Sequence, residues 1–315
     1  MKQSTKIRLV FFVGMVVLTF GCYYFFLHYE YNKNRSIPSV KPIETNSMSF
    51  DTQKAIQKAL TNSEEIILTN PTKADIVKAY QGITMIDIPH VFVDKLPDDW
   101  TIETVSDKTL FLKIITALIL RSNEKIERER YVLQLLQEKN LKHIPWNDEE
   151  KMFFNQMVEK YDAVLKKNDY GRLSELIDKI NIIPPSIAVA QAILITDWGQ
   201  KNKKSPYGEY AWKGEEAYVP IEFDSLTKAT DSFALQINSR SQLFQFREIR
   251  RRLIPLVRDR YISLDLVDNM DKYMEWDTRY IQNLARVYQY GMIKELDHAC
   301  FKGECQLKET KPLFN

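Results

Sequence analysis

The segment PPSIAVAQAILITDWGQ, Pro184 to Gln200, constrains the chain more than any other. From Ile187 to Ile195 its side chains are apolar or small, with Gln191 the sole exception. A helix that is apolar all round has no face to offer water, so it belongs in the interior with other helices around it. Ala188, Ala190 and Ala192 allow those neighbours to come close, while Ile187, Leu194 and Ile195 fill space. Pro184 and Pro185 break the preceding element and suit a first helical turn. Gly199 is the expected end of the helix, where the chain must turn left-handed. The Trp198-Gly199 ending looks like the floor of an active site.

The surrounding patterning is helical. Phe111, Ile114, Ile115, Leu118 and Ile119 recur at spacings of three and four, with Asp107 as the expected N-cap and an end before Asn140. Two further helices are expected behind caps Asn147 and Asp169, and three more stretches of helical pattern follow Asp224. Between Lys201 and Asp224 the short aromatic pattern SPYGEYAWKGEEAYVPIEF predicts a small β-lobe. The fold class expected is therefore mainly α with a minor β element. Hydrophobic residues make up 44% of the 315, enough to build a packed core. Lys and Arg number 44 against 42 acidic residues, a balance that gives no electrostatic case for nucleic acid.

Residues Leu9 to Leu27 form an uncharged run of 19, long enough for one transmembrane helix. Lys2, Lys6 and Arg8 before it favour a cytoplasmic N-terminus. The organisation expected is a cytoplasmic N-terminus (1–8), a transmembrane anchor (9–27), a linker (28–53), a helical lead-in (54–85), a main domain (86–295) and a C-terminal tail (296–315). Cys300 and Cys305 in CFKGEC suit a disulfide or two free thiols; with His298 they fall short of a four-ligand metal site, so no metal and no cofactor is expected. Glu124 is expected to pair with Arg128 four residues on, as a structural ion pair. Arg247, Arg250, Arg251 and Arg252 cluster on one helix and read as a solvated face.

Several pieces, in order, carry a resemblance: IPHVFVDKLPDDW, LILRSNEKIERER, LIDKINIIPPSIAVAQAILITDWG, SPYGEYAW, EFDSLTKATDSFALQINSRSQLFQFREIRRRL and YMEWDTRYIQNL. From about Ile88 to Ile293 the chain resembles the Bax-type bacterial glucosaminidases. The resemblance implies a lysozyme-like glucosaminidase domain that grips peptidoglycan glycan strands. It also implies a general-acid glutamate at the end of the Ala-Gln-Ala helix. Laid on this sequence, that glutamate falls at Ile195, with no Glu from Ile180 to Asn202.

That departure sets the functional expectations. The chain is expected to be a catalytically degenerate peptidoglycan-binding or scaffold protein, single-pass in the inner membrane with its domain periplasmic. The alternatives are a peptidoglycan N-acetylglucosaminidase with a relocated acid, and a module that binds an envelope protein. The sequence leaves enzymatic status open. Glu209 and Asp197 are the substitute proton donors. Asp197 is two residues from Ile195, about 200° around a helix, so it faces away unless the helix unwinds. Trp198, Tyr207, Tyr210, Trp212 and Tyr273 are the candidate glycan contacts, with core packing as the alternative use of each.

Overall fold

The computed structural model describes residues 45–61, 65–163, 169–212, 218–253, 264–273, 279–290 and 292–304. The 9–27 anchor lies outside these residues. Described elements from 44 onward belong to one compact unit. The fold is mainly α-helical, with three pairs of very short strands. In chain order the helices are α1 (Thr45–Leu60), α2 (Lys73–Ala79), α3 (Val105–Leu141), α4 (Asp148–Lys160), α5 (Asp169–Lys179), α6 (Pro185–Thr196), α7 (Leu226–Ser239), α8 (Phe244–Leu253), α9 (Leu264–Asp268) and α10 (Tyr280–Tyr288). Helix α1 begins within the stretch expected to be a linker.

The strands are β1 (Ile66–Leu68), β2 (Asp87–Ile88), β3 (Val91–Val93), β4 (Tyr210–Trp212), β5 (Tyr218–Pro220) and β6 (Cys300–Phe301). β1 and β3 pair in parallel, as do β2 and β6, the latter with Asp87 opposite Cys300 and Ile88 opposite Phe301. β4 and β5 form the antiparallel hairpin of the small β element, with Ala211 opposite Val219.

The 37-residue α3 is the spine against which α1, α5, α6 and α7 pack. Its N-cap is Thr104 rather than Asp107. The Thr104 side chain accepts from the Asp107 backbone N–H, and the Asp107 carboxylate accepts in return from Thr104 N–H. Asp107 was placed at the cap because acids favour both positions; in the structure it is the third helical residue. Asn147 does cap α4, in the same reciprocal way with Glu150. Glu150 also takes a 2.6 Å hydrogen bond from Lys139, a fully buried ion pair between α3 and α4.

Helix α6 is buried from Pro185 to Ile193, as its composition requires. It lies against α3, α10 and a 3₁₀ turn at Ile293–His298. Its N-cap, Pro184, offers no side chain to the open N–H groups. Asp297 supplies the cap from the distant turn, accepting from Ser186 N–H at 2.9 Å and from Ser186 Oγ at 2.8 Å. Burial nevertheless pushes the Asp297 carboxyl up to about 7 against those two hydrogen bonds.

The approach to α6 is held by three side chains. Asn123 on α3 clamps Ile183 in both directions, accepting from its N–H and donating to its carbonyl, each at 2.7 Å. Arg130 donates to the carbonyls of Ile177 and Ile180. Arg250 donates to Lys179 O at 3.0 Å and to Asn181 and Ile182 O at 3.3 Å. Arg250 is 0% exposed and Arg247 6%, which corrects the solvated-face reading of the arginine cluster. Arg247 spends its guanidinium on the carbonyls of Ile237 and Arg240, and Arg251 pairs with Glu248 and Asp178.

The left-handed turn after α6 starts earlier than Gly199. Asp197, Trp198 and Gly199 have φ of 49°, 61° and 83° in succession. A Cβ built on Gly199 would come 2.5 Å from Leu96 Cδ1 and 2.9 Å from Phe111 Cε2. Gly199→Ala therefore combines a left-handed backbone with a clash against two buried side chains. It is expected to cost about 3 kcal/mol, read as a lower denaturation midpoint in urea at unchanged slope.

Candidate functional site

The residues singled out from sequence fall into two groups. The first centres on Glu209, the last residue before β4. Its carbonyl accepts from Ile221 N–H at 2.8 Å and closes the base of the hairpin, so the backbone there is fixed. Its carboxyl is buried, 2% exposed. Oε2 accepts from Ser232 Oγ at 2.8 Å, and Gln236 Nε2 donates to the same Oγ at 3.3 Å. Burial pushes the Glu209 carboxyl up to about 7, against smaller opposing effects of Ser232, Arg240 and Gln236. Relative to its ordinary value of 4.5, that gap corresponds to roughly 3 kcal/mol disfavouring ionisation. Glu209 Oε1, Gln236 Oε1 and Tyr273 Oη are buried and have no hydrogen-bond partner.

The walls of this cluster are aromatic. Tyr207 stacks on Phe233 with ring centres 4.3 Å apart, and Tyr273 meets Phe233 edge-on at 5.4 Å. The Arg240 guanidinium lies 5.4 Å from the Tyr273 ring centre. Gln191, the polar residue of α6, donates to Tyr207 O at 2.8 Å and accepts from Tyr280 Oη at 2.6 Å. Tyr207 Oη and Thr230 Oγ1 share a 3.0 Å hydrogen bond. Tyr207 and Tyr273 are 1% and 2% exposed, so both pack the core and neither offers a ring face to a ligand from solvent. For Tyr210 and Trp212 the described part is the β4 backbone alone.

Ser232, Gln236 and Arg240 were missed from sequence, although they recur every fourth residue along α7 and its C-cap. That polar stripe runs beside an apolar one, Ala229, Phe233 and Ile237, all buried. An internal polar stripe next to a core stripe is the signal that was available.

The second group surrounds the left-handed turn. Asp197 is exposed there as the C-cap of α6, and Gln200 Nε2 donates to its carbonyl. Trp198 is half-buried, edge-on to Phe111 and to Tyr290 with ring centres 6.2 and 5.5 Å away. The Lys108 ammonium sits 5.1 Å from the Trp198 ring centre and 5.6 Å from that of Tyr290, which is 50% exposed. Trp198 O accepts from Trp100 Nε1 at 3.0 Å. Cys300 is disulfide-bonded; Cys305 lies outside the described residues.

Comparison with known proteins corrects the family reading. No protein-family profile matches the chain, and no solved structure matches it. Among curated proteins it is similar to the tyrosine recombinase XerC of Listeria monocytogenes serotype 4a (strain HCC23), at 25% identity over 190 residues. The match covers 58% of this chain and 63% of that protein, so the chain spans less than two thirds of the relative. A tyrosine recombinase is a different family from a Bax-type glucosaminidase, and the glucosaminidase resemblance is set aside together with its lysozyme-like label. Three functions fall with it: the peptidoglycan-binding scaffold, the glucosaminidase with a relocated acid, and the envelope-interaction module. Peptidoglycan strands and an envelope protein are withdrawn as partners, and Ile195 no longer marks a lost glutamate. The exclusion of nucleic acid, drawn from net charge alone, is withdrawn because the relative is a recombinase. The inner-membrane, periplasmic location is likewise withdrawn. Among the described residues no helix is long and apolar enough to cross a membrane.

Proposed function

We propose that the domain is an acid–base catalyst with Glu209 as its proton-transfer residue and Ser232 as the relay that connects it to substrate. One observation carries the reading: a buried carboxyl held near neutrality is hydrogen-bonded to a hydroxyl that lines a groove of 740 Å³. Lys125, Lys160, Tyr161 and Asp231 line the same groove. A carboxyl that keeps its proton up to about pH 7 can donate it to a departing atom near neutral pH. When Ser232 passes its hydroxyl proton to the substrate, its hydrogen bond with Glu209 reverses, and the Glu209 carboxylic acid gives its own proton to the Ser232 oxygen. Gln236 orients the Ser232 oxygen, and Arg240 stabilises the carboxylate that remains.

The recombinase similarity favours a second reading, in which the domain binds DNA. Exposed Tyr290 and half-buried Trp198 beside Lys108 provide a stacking surface with a cation, a combination that suits nucleic acid. Against it, Arg247, Arg250 and Arg251 of α8 are spent on internal carbonyls and ion pairs.

Purified protein assayed against chromogenic phosphodiesters, esters and amides is expected to show a turnover that declines above about pH 7. Glu209→Gln is expected to lower that rate by about 10²–10⁴-fold, and Ser232→Ala by a smaller factor. Equal rates in a folded Glu209→Gln protein would remove the assignment.

A thermal test needs no substrate. The folded state holds the Glu209 proton more tightly than the unfolded chain does. Stability is therefore expected to fall as pH rises from about 4.5 to about 7. Asp297 acts in the same direction between about 3.8 and about 7, so Glu209→Gln is expected to flatten the melting-temperature profile without abolishing its slope.

For the DNA reading, anisotropy of a labelled duplex is expected to show binding that weakens steeply between about 50 and about 200 mM salt. Lys108→Ala is expected to reduce it. Absence of binding at the lower salt would eliminate DNA.

A further inference from the structure

Three ligand-type side chains from distant parts of the sequence converge away from the Glu209 cluster and share no residue with it. His90, Glu124 and Glu304 each offer one ligating atom, and these three atoms all lie within 4.8 Å of one another. His90 Nε2 and Glu304 Oε1 are 3.6 Å apart. Two atoms bound to one zinc ion at about 2 Å stand roughly 3.4 Å apart, so the His–Glu304 edge already has the required span. A small rotation of Glu124, or of the half-exposed Glu304, closes the rest.

The arrangement is built rather than accidental. β2 and β6 pair in parallel and bring Phe301 next to the chain at His90. The His90 ring stacks on Phe301, with centres 3.9 Å apart and planes 23° apart, so the imidazole has little freedom to turn. Phe301 is itself wedged edge-on against Phe92. After Phe301 the chain turns through Gly303, with φ of 89°, and Glu304 N–H donates back to Phe301 O at 2.9 Å. Glu124 comes from the middle of the α3 spine. Burial and the Glu304 charge raise its proton affinity, opposed by His90 and Arg128. Arg128 thus acts on Glu124 as a nearby charge within a shared cavity of 530 Å³.

We propose that His90, Glu124 and Glu304 form a zinc-class divalent metal site. Imidazole selects the later transition metals over calcium and magnesium, and two carboxylates complete a three-ligand set that leaves a fourth position to water. Cys300 is already bonded to sulfur and offers no thiolate to this site. A cation would also offset the Glu304 charge that disfavours ionisation of Glu124.

The full chain, stripped with EDTA and dialysed free of it, is titrated calorimetrically with Zn²⁺ alone near neutral pH. One zinc per chain is expected, with affinity at least tenfold weaker in His90→Ala and in Glu304→Gln. Co²⁺ in place of Zn²⁺ is expected to give visible absorption bands of a four-coordinate site that both variants lose. His90 and Glu304 are 47% and 46% exposed at their side chains, so both variants are expected to keep the wild-type circular dichroism. Substoichiometric zinc, or equal affinity in wild type and both variants, would overturn the proposal. Binding of Ca²⁺ or Mg²⁺ in preference to Zn²⁺ would overturn it as well.

Discussion

The carbonyl groups between Ile177 and Ile183 must find donors in a largely buried stretch between two helices, and much of the structure follows from how they do so. Helix α5 ends there and α6, apolar all round, begins immediately after. Helix C-termini leave carbonyls open, and a buried open carbonyl costs as much as a lost hydrogen bond. Asn123, Arg130 and Arg250 fill that need from two different helices. Guanidinium groups suit the task because one side chain reaches several acceptors without leaving an unused lone pair. Their hold fixes the direction in which α6 enters the core, and α6 in turn carries Gln191 to Tyr207 and Tyr280 behind the Glu209 cluster.

Charge is distributed by the same logic. Where a buried ion has a partner, as in Lys139 with Glu150, it ties two helices together. Arg121 likewise bridges Glu65 and Asp231. Glu209 differs, because its close partners are a hydroxyl and an amide rather than a full positive charge at contact distance. A carboxyl so placed stays protonated to near neutrality, whereas Asp231, one residue from Ser232, is held low by Arg121 and Lys125 despite its own burial. Two acids, one bonded to Ser232 and the other next to it in sequence, are thereby shifted in opposite directions, a division of roles common in acid–base sites.

Helix content, the buried character of α6 and the hairpin after Lys201 were legible because each is written in local periodicity or in turn residues. Glu209 was visible as a carboxylate, but its environment was not, since Ser232 and Gln236 lie 23 and 27 residues further on. The arginines of α8 show the limit most clearly. A run of cations reads as surface, and only the position of unsatisfied carbonyls in three dimensions explains why two of them point inward. Thr104 and Asp107 show a smaller one: both residue types favour a helix start, and the reciprocal bond between them decides which is the cap. The resemblance drawn from ordered pieces across the chain did not survive comparison, and the function drawn from it went with it. Convergence of His90, Glu124 and Glu304 leaves no trace in spacing at all.

The parallel pairing of β2 with β6 joins residues separated by 213 positions, Asp87 with Cys300 and Ile88 with Phe301. During synthesis β6, the partner of β2, therefore emerges from the ribosome only after more than two hundred intervening residues. Helices that make local contacts, α3 with α4 for example, are free to consolidate long before that, while the strand at Asp87–Ile88 waits with its edge open. Closure of this loop is thus late relative to those helices, and β2 stays unpaired while the residues between the two strands are made.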